Sequence, residues 1–213
     1  MPIRVLICDD HPMCREAFAL AVARAAPDAE VDRAESLEEA EQKIRRGQKY
    51  DFVLTDLLLP DSDGFVSLLI LAQSLPQARI AVTTGAVTPA VIARARALGA
   101  VGFVSKSAPI SELIDIFGRL LRGEMYFPKA MEVSMGEDDP AERLRDLTPS
   151  QLRIVLAAAR GQLNKQIAYD NGLTEATVKA HLAAAFKKLG VTNRVQAGLL
   201  VQSLAIEKPL IHR

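Results

Sequence analysis

Five short β-favouring runs, separated by stretches with helical spacing, leave the first 122 residues few ways to fold. Ile3 to Cys8, Glu30 to Ala34, Phe52 to Thr55, Arg79 to Thr84 and Gly102 to Ser105 read as strands. Helices are expected over Met13 to Ala26, from a Ser36 cap to Gly47, over Phe65 to Ser74, over Pro89 to Leu98 and over Ile110 to Leu121. Ser36 and Glu39 are spaced as a capping box, in which each side chain takes the other residue's orphan amide. Strands and helices in strict alternation imply a parallel sheet with helices on both faces. All five strand ends then open their loops on one edge, where open α/β sheets bind ligands.

The polar residues at those ends are Asp9, Asp10, Asp56, Thr84 and Lys106. Asp56 closes an apolar strand and runs into Leu57-Leu58-Leu59-Pro60-Asp61-Ser62-Asp63-Gly64. Alone, such an acid could be no more than a turn cap. Three carboxylates in one crevice repel one another unless a cation sits among them, and hard oxygen ligands at a shallow, wet site suit Mg²⁺. Lys106 brings the positive charge that a phosphoryl oxygen requires.

The chain has 213 residues, 49% of them apolar and 24% charged, which suits two domains with real cores. No run is long and apolar enough to span a membrane and no signal-peptide pattern opens the chain, so a cytoplasmic protein with no membrane partner is expected. Cys8 and Cys14 make no disulfide framework, and Cys8 reads as a small buried hydrophobe. The net charge of zero hides an asymmetry. From Thr148 onward nine Lys and Arg face three acids, giving +6, and residues 1 to 147 carry −6. The basic half points to a partner with phosphates.

Arg122 to Asp146 holds Gly123, Pro128, Gly136, Pro140 and the acidic run Glu137-Asp138-Asp139, and reads as a tether with a short helix near Glu142 to Arg145. Four helices follow. Thr148, Pro149 and Gln151 start one that ends before Gly161, Asn164 to Asp170 forms the next, Thr174 caps a third through Leu189 before Gly190, and Asn193 opens a fourth to about Ile206. The second and third have the spacing of a helix-turn-helix, whose second helix enters the DNA major groove. Val178, Leu182, Phe186 and Leu189 share a face and are expected to pack inward. His181 has no second ligand near it in sequence and reads as a packing or capping residue.

Asp9-Asp10, the stretch from Asp56 to Gly64, Thr84 and Lys106 resemble, in type and spacing, the receiver domain of two-component response regulators over about residues 2 to 122. Leu147-Thr148-Pro149, Asn164 to Ala168, Thr177 to His181 and Lys188 to Arg194 resemble the LuxR-type helix-turn-helix of the NarL/FixJ family. The resemblance implies a flavodoxin-like receiver with a five-stranded parallel sheet (1-122), a linker (123-146) and an all-α four-helix helix-turn-helix domain (147-213). It implies that a sensor histidine kinase phosphorylates Asp56, with Mg²⁺ held by Asp10, by Asp9 mainly through water, by Asp56 and by the Leu58 carbonyl. Thr84 and Lys106 would meet the phosphoryl group, and Phe103 would be the switch aromatic that turns inward.

In the second domain the resemblance places Lys179, Ala180 and Ala183 against bases of double-stranded promoter DNA, and Lys165, Thr177, Lys187 and Arg194 against phosphates. Val195, Leu199, Leu200, Val201 and Leu204 of the last helix would pair two chains when the protein is active. Ala183 and Ala184 stand where longer polar side chains are common, so direct readout rests on Lys179, with DNA shape contributing. Ser107 follows Lys106 where many receivers have Pro, so a cis peptide is not expected there. Leu58 and Ala86, two residues beyond Asp56 and Thr84, have no side chain to orient a hydrolytic water, which implies slow dephosphorylation. A phosphohydrolase would want an acid at position 58, and Leu58 is there. The remaining alternative is an interaction protein, or one that binds DNA without phosphorylation.

Overall fold

The computed structural model describes residues 2–85, 87–128 and 140–206, which fall into two compact units. In the first, five strands form one parallel sheet: β1 (Arg4–Cys8), β2 (Glu30–Ala34), β3 (Phe52–Asp56), β4 (Arg79–Thr84) and β5 (Gly102–Ser105), in the order β2-β1-β3-β4-β5. The intervening helices are α1 (Pro12–Ala25), α2 (Leu37–Arg45), α3 (Val66–Ser74), α4 (Pro89–Ala97) and α5 (Ile110–Leu121). Strand order reverses between β1 and β3, so their loops diverge and leave a crevice at their carboxyl ends. Cys8 pairs with Thr55 across that gap, which sets Asp9 beside Asp56.

All five residues of β3 are buried, as a strand covered on both faces must be. On one face Val5, Ile7, Phe52 and Leu54 meet α1 and α5 through Phe18, Ala21, Val22, Ile116 and Phe117. Phe117 takes Phe18 and Phe52 edge-on, with ring centroids 6.1 and 6.3 Å apart. Only half of the expected capping box forms at α2. Ser36 Oγ accepts from Glu39 N, but the Glu39 carboxylate takes the amide of Glu35. Asp61, reaching across from the loop after β3, accepts from Leu37 N and Glu38 N instead.

The described parts of the expected tether, 123 to 146, each pack on a unit. Tyr126 lies parallel to β5 as a one-residue bridge to Gly102, donating its amide to Val101 O (3.1 Å) and accepting from Phe103 N (2.8 Å). An edge strand has a row of unpaired amides and carbonyls, and Tyr126 satisfies two of them, which draws the chain past residue 122 onto the sheet. Arg96 stacks on the Phe127 ring at 4.5 Å, and Arg79 donates to the carbonyls of Leu120 and Glu124. At the other end a 3-10 turn, Pro140–Asp146, belongs to the second unit, because Leu144 and Leu147, three residues apart, are both buried in it. Lys188 Nζ donates to Asp146 O at 2.8 Å and Arg143 to Leu189 O at 3.3 Å. The acidic run Glu137 to Asp139, Ala86 and the tail from Glu207 lie outside the described residues.

The second unit contains α6 (Pro149–Ala159), α7 (Asn164–Asp170), α8 (Glu175–Leu189) and α9 (Arg194–Gln202). The Thr148–Gln151 capping box is complete, and Gly190 closes α8 at φ +68°, a conformation few other residues adopt. Val178, Leu182, Ala185 and Leu189 form the buried stripe of α8, at spacings of four, three and four. Ala185 thus takes the inward place expected for Phe186, which stays half-buried at the edge, because a helix packed along one stripe has room on the seam for the small side chain. α9 ends at Gln202, short of the expected Ile206.

Candidate phosphoacceptor site and nucleic-acid interface

Each side chain of the first site is placed by the end of a strand. Asp56 is the last residue of β3 and is 1% exposed; Asp9, the residue after β1, is fully buried. Lys106, directly after β5, places Nζ 2.6 Å from Asp56 Oδ2, 3.0 Å from Asp9 Oδ1 and 2.8 Å from Asp9 Oδ2. The last contact lies outside hydrogen-bond geometry, so Asp9 Oδ2 is a buried oxygen with no hydrogen bond. Asp56 Oδ1 accepts from Leu58 N at 3.0 Å. Burial pushes the Asp56 carboxyl above its usual range, against the pull of Lys106 and the Leu58 amide. Burial also opposes charge on Lys106, but its bonds to Asp56 and Asp9 outweigh this and hold the ammonium protonated.

Asp10 stays partly exposed, and its Oδ1 lies 2.6 Å from His11 Nδ1. Asp9, Asp10, His11 and Asp56 each bring one ligand atom into a group in which all lie within 4.8 Å of one another. The expected acids are therefore together. Sequence reasoning passed over His11, although its place directly after the two acids was a usable signal. It also passed over Ser67, which donates to Asp56 O, and Arg15, which holds the Asp9 carbonyl. These come from the starts of helices α3 and α1, and only folding brings them to the crevice.

Thr84 is buried and pairs with Ser105, on the strand end that leads to Lys106. Phe103 is fully buried, so the expected switch aromatic already points into the fold. No cis peptide occurs among the described residues, Ser107 included. Between α1 and α5 a cleft lined by Met13, Ala17, Phe18, Ile110 and Leu113 opens beside Lys106 and Cys14.

The second unit presents a different surface. Lys165 on α7 and Lys179, Ala180, Ala183, Ala184 and Lys187 on α8 are exposed. Thr177 is half-buried, with its amide and hydroxyl both facing Thr174 Oγ1. Arg194 does not join the phosphate-facing set. It is half-buried, and its guanidinium donates to Gln162 O at 2.6 Å, which ties the turn after α6 to the start of α9. Leu204 does not join the pairing surface either. It is fully buried in its own unit, because the chain leaves the helix at Gln202 and folds Leu204 under. Val195 and Leu199 are 70% and 61% exposed, and Leu200 and Val201 are half-buried.

Comparison with known proteins gives the same division. Residues 5–117 match the response regulator receiver domain, and residues 145–201 match the bacterial regulatory proteins of the luxR family. A glycerol metabolism activator of Pseudomonas putida is 34% identical over 204 residues, covering 91% of this chain and 92% of its own. The response regulator VraR of Staphylococcus aureus is 30% identical over 199 residues, covering 92% and 95%. Among solved structures, a complex of the two-component response regulator RcsB with DNA shares the fold, with a TM-score of 0.56 at 21% identity over 95% of this chain and 99% of that one. RcsB from Salmonella enterica serovar Typhimurium, bound to a promoter in the presence of the phosphomimetic BeF3−, aligns equally well, with a TM-score of 0.56 at 21% identity, covering 96% and 100%. No described helix is long and apolar enough to cross a membrane. The chain belongs to the response regulators, joining a receiver domain to a DNA-binding, LuxR-type helix-turn-helix domain that controls transcription.

Proposed function

We propose that Asp56 is the phosphoacceptor of a sensor histidine kinase, and that its phosphorylation makes the chain dimerise and bind double-stranded promoter DNA. The observation that carries this is the convergence of buried Asp56 and Asp9 on the single ammonium of Lys106. The oxygen-rich group fits Mg²⁺, since the hydrogen-bond capacity of Asp9 Oδ2 is unused and Asp10 faces solvent. Asp9, Asp10, Asp56 and the Leu58 carbonyl would hold the ion. Bound there, Mg²⁺ supplies positive charge to the phosphoryl oxygens.

An oxygen of the Asp56 carboxylate attacks the phosphorus of the kinase phosphohistidine. The O–P bond forms as the N–P bond breaks, and the electron pair returns to the imidazole. Lys106 turns from the carboxylate to a phosphoryl oxygen, and the Thr84 hydroxyl donates to another, drawing its loop inward. The apolar cleft between α1 and α5 suits a kinase helix delivering the phosphohistidine beside Lys106. Leu58 offers no group to orient water, so the phosphoryl group persists for minutes rather than seconds. A half-life of seconds contradicts this part.

In the second unit Lys179, Ala180 and Ala183 face base edges, while Lys165, Thr177 and Lys187 meet phosphates. Val195 and Leu199, with Leu200 and Val201 at the margin, pair two chains so that two α8 helices reach successive half-sites. The test is a DNA titration with and without acetyl phosphate and Mg²⁺, on wild type and Asp56→Asn. Wild type should gain affinity on phosphorylation and the variant should not. Equal affinity in all four conditions leaves DNA binding independent of Asp56 and overturns the switch.

A further inference from the structure

We infer that Asp61 is a positioning residue for the metal and phosphoryl site, acting through the N-terminus of α2 to fix the distance between the two acid-bearing loops. This rests on the proposed role of Asp9, Asp10 and Asp56. The carboxylate of Asp61 accepts from Leu37 N at 3.0 Å and from Glu38 N at 2.8 Å, the first two amides of α2. Such amides have no acceptor within the helix, and an anion there is also favoured by the helix dipole.

A local cap already exists, since Ser36 Oγ accepts from Glu39 N. Asp61 comes from a loop 24 residues further along the chain, so what it adds is a link between loops. The same junction holds the other acid loop. Ala34 O, two residues before the Ser36 cap, accepts from Asp9 N at 3.1 Å. The Ala34 carbonyl therefore grips Asp9 by its backbone on one side, and the Leu37 and Glu38 amides hold the Asp56 loop by Asp61 on the other. Within that loop, Leu58 N binds Asp56 Oδ1 and Ser62 N turns back to Leu59 O, so a shift at Asp61 is passed to the Asp56 carboxylate and the Leu58 carbonyl. Apart from this grip, Lys106 joins the two acids directly, through a long side chain that leaves them when the phosphoryl group arrives. Ligands already ordered bind an ion more tightly than ligands that must be gathered.

The test is calorimetric titration of Mg²⁺ into the full chain for wild type, Asp61→Ala, Asp61→Asn and Ser36→Ala. Asp61→Ala should weaken Mg²⁺ by about 10-fold, the scale seen when a group that orients a metal ligand is removed. Asp61→Asn keeps an acceptor oxygen and should recover part of the loss. Ser36→Ala removes a cap from the same helix without touching the loop, and should bind Mg²⁺ like wild type. Amide exchange at Leu37 and Glu38 should quicken in Asp61→Ala with the far-UV spectrum unchanged. Wild-type Mg²⁺ affinity in Asp61→Ala overturns the inference, as does an equal loss in Ser36→Ala, which reduces the effect to helix stability. If wild type itself binds no Mg²⁺, the reading of the site fails first.

Discussion

Lys106 and Lys179 are the same residue type put to opposite uses. Lys106 is largely buried, with its ammonium held between two carboxylates that no longer reach water, so its charge is part of what keeps that end of the sheet together. Lys179 stands exposed on α8 among alanines, with its charge in contact with solvent. A reaction centre needs desolvated charges held in place before the partner comes, and a burial cost comes with it. A nucleic-acid surface keeps its charges hydrated, and what organises them is the rigidity of the helix beneath. The acids and lysine of the first unit are therefore gathered by the fold itself, whereas the lysines of α8 stand apart in solvent.

The largest test of this contrast is Lys106→Ala, which leaves Asp9 and Asp56 facing each other unpaired. Removing one partner of a buried ionic set costs about 3 kcal/mol, so chemical unfolding followed by circular dichroism should show a loss on that scale. Added Mg²⁺ should restore part of it. A change below about 0.5 kcal/mol, the ordinary surface value, would erase the difference between the two lysines.

Lys179→Ala should leave stability within that surface range yet cost about 2 kcal/mol of discrimination between the preferred site and a variant site. Lys187→Ala should weaken all sequences alike and reduce the slope of log affinity against log salt by about 1. If Lys179→Ala keeps the sequence preference, the base-reading face lies elsewhere on α8.

The strap formed by Tyr126 offers a third test, of packing without charge. A Cβ on Gly102 would sit 2.7 Å from Leu120 Cδ2 and 3.2 Å from Tyr126 O. Gly102→Ala should cost about 1–2 kcal/mol, as overpacking does, and speed amide exchange at Phe103 and Tyr126. Wild-type protection at both amides would mean that the strap does not depend on the missing side chain.

The smallest effect concerns pH. Burial is the main cause that raises the Asp56 pKa. A carboxyl whose pKa is raised by folding lends stability below its unfolded pKa and loses it as pH rises through the folded value. Without Mg²⁺, wild type should therefore lose stability on going from acid to neutral pH by an increment that Asp56→Asn lacks. The Tm advantage of the variant should widen with pH over this range. A constant gap would show that Lys106 balances the carboxylate fully.

The order of elements, the acids gathered at the strand ends and the helix-turn-helix spacing were legible in the chain, because each depends on local spacing: apolar runs that end in acids, and caps followed by helical periods. The errors fell where a second contact decided. Phe186 had the right spacing for the core, but the close seam of α8 took Ala185 instead. Arg194 and Leu204 looked like surface residues on a short basic or apolar stretch. A carbonyl 32 residues away and the end of α9 turned them inward.

What the sequence determined by itself is a parallel α/β unit with acids at its strand ends, followed by a basic helical unit, since periodicity and charge are local properties of a chain. Tertiary structure alone decided how those acids are held. Asp61 on the start of α2, Tyr126 on the edge of β5 and Lys106 between Asp9 and Asp56 are contacts between segments 24 to 97 residues apart. An unpaired amide, a free sheet edge or a buried carboxylate takes whichever partner the fold brings near, and no local pattern in the sequence names that partner.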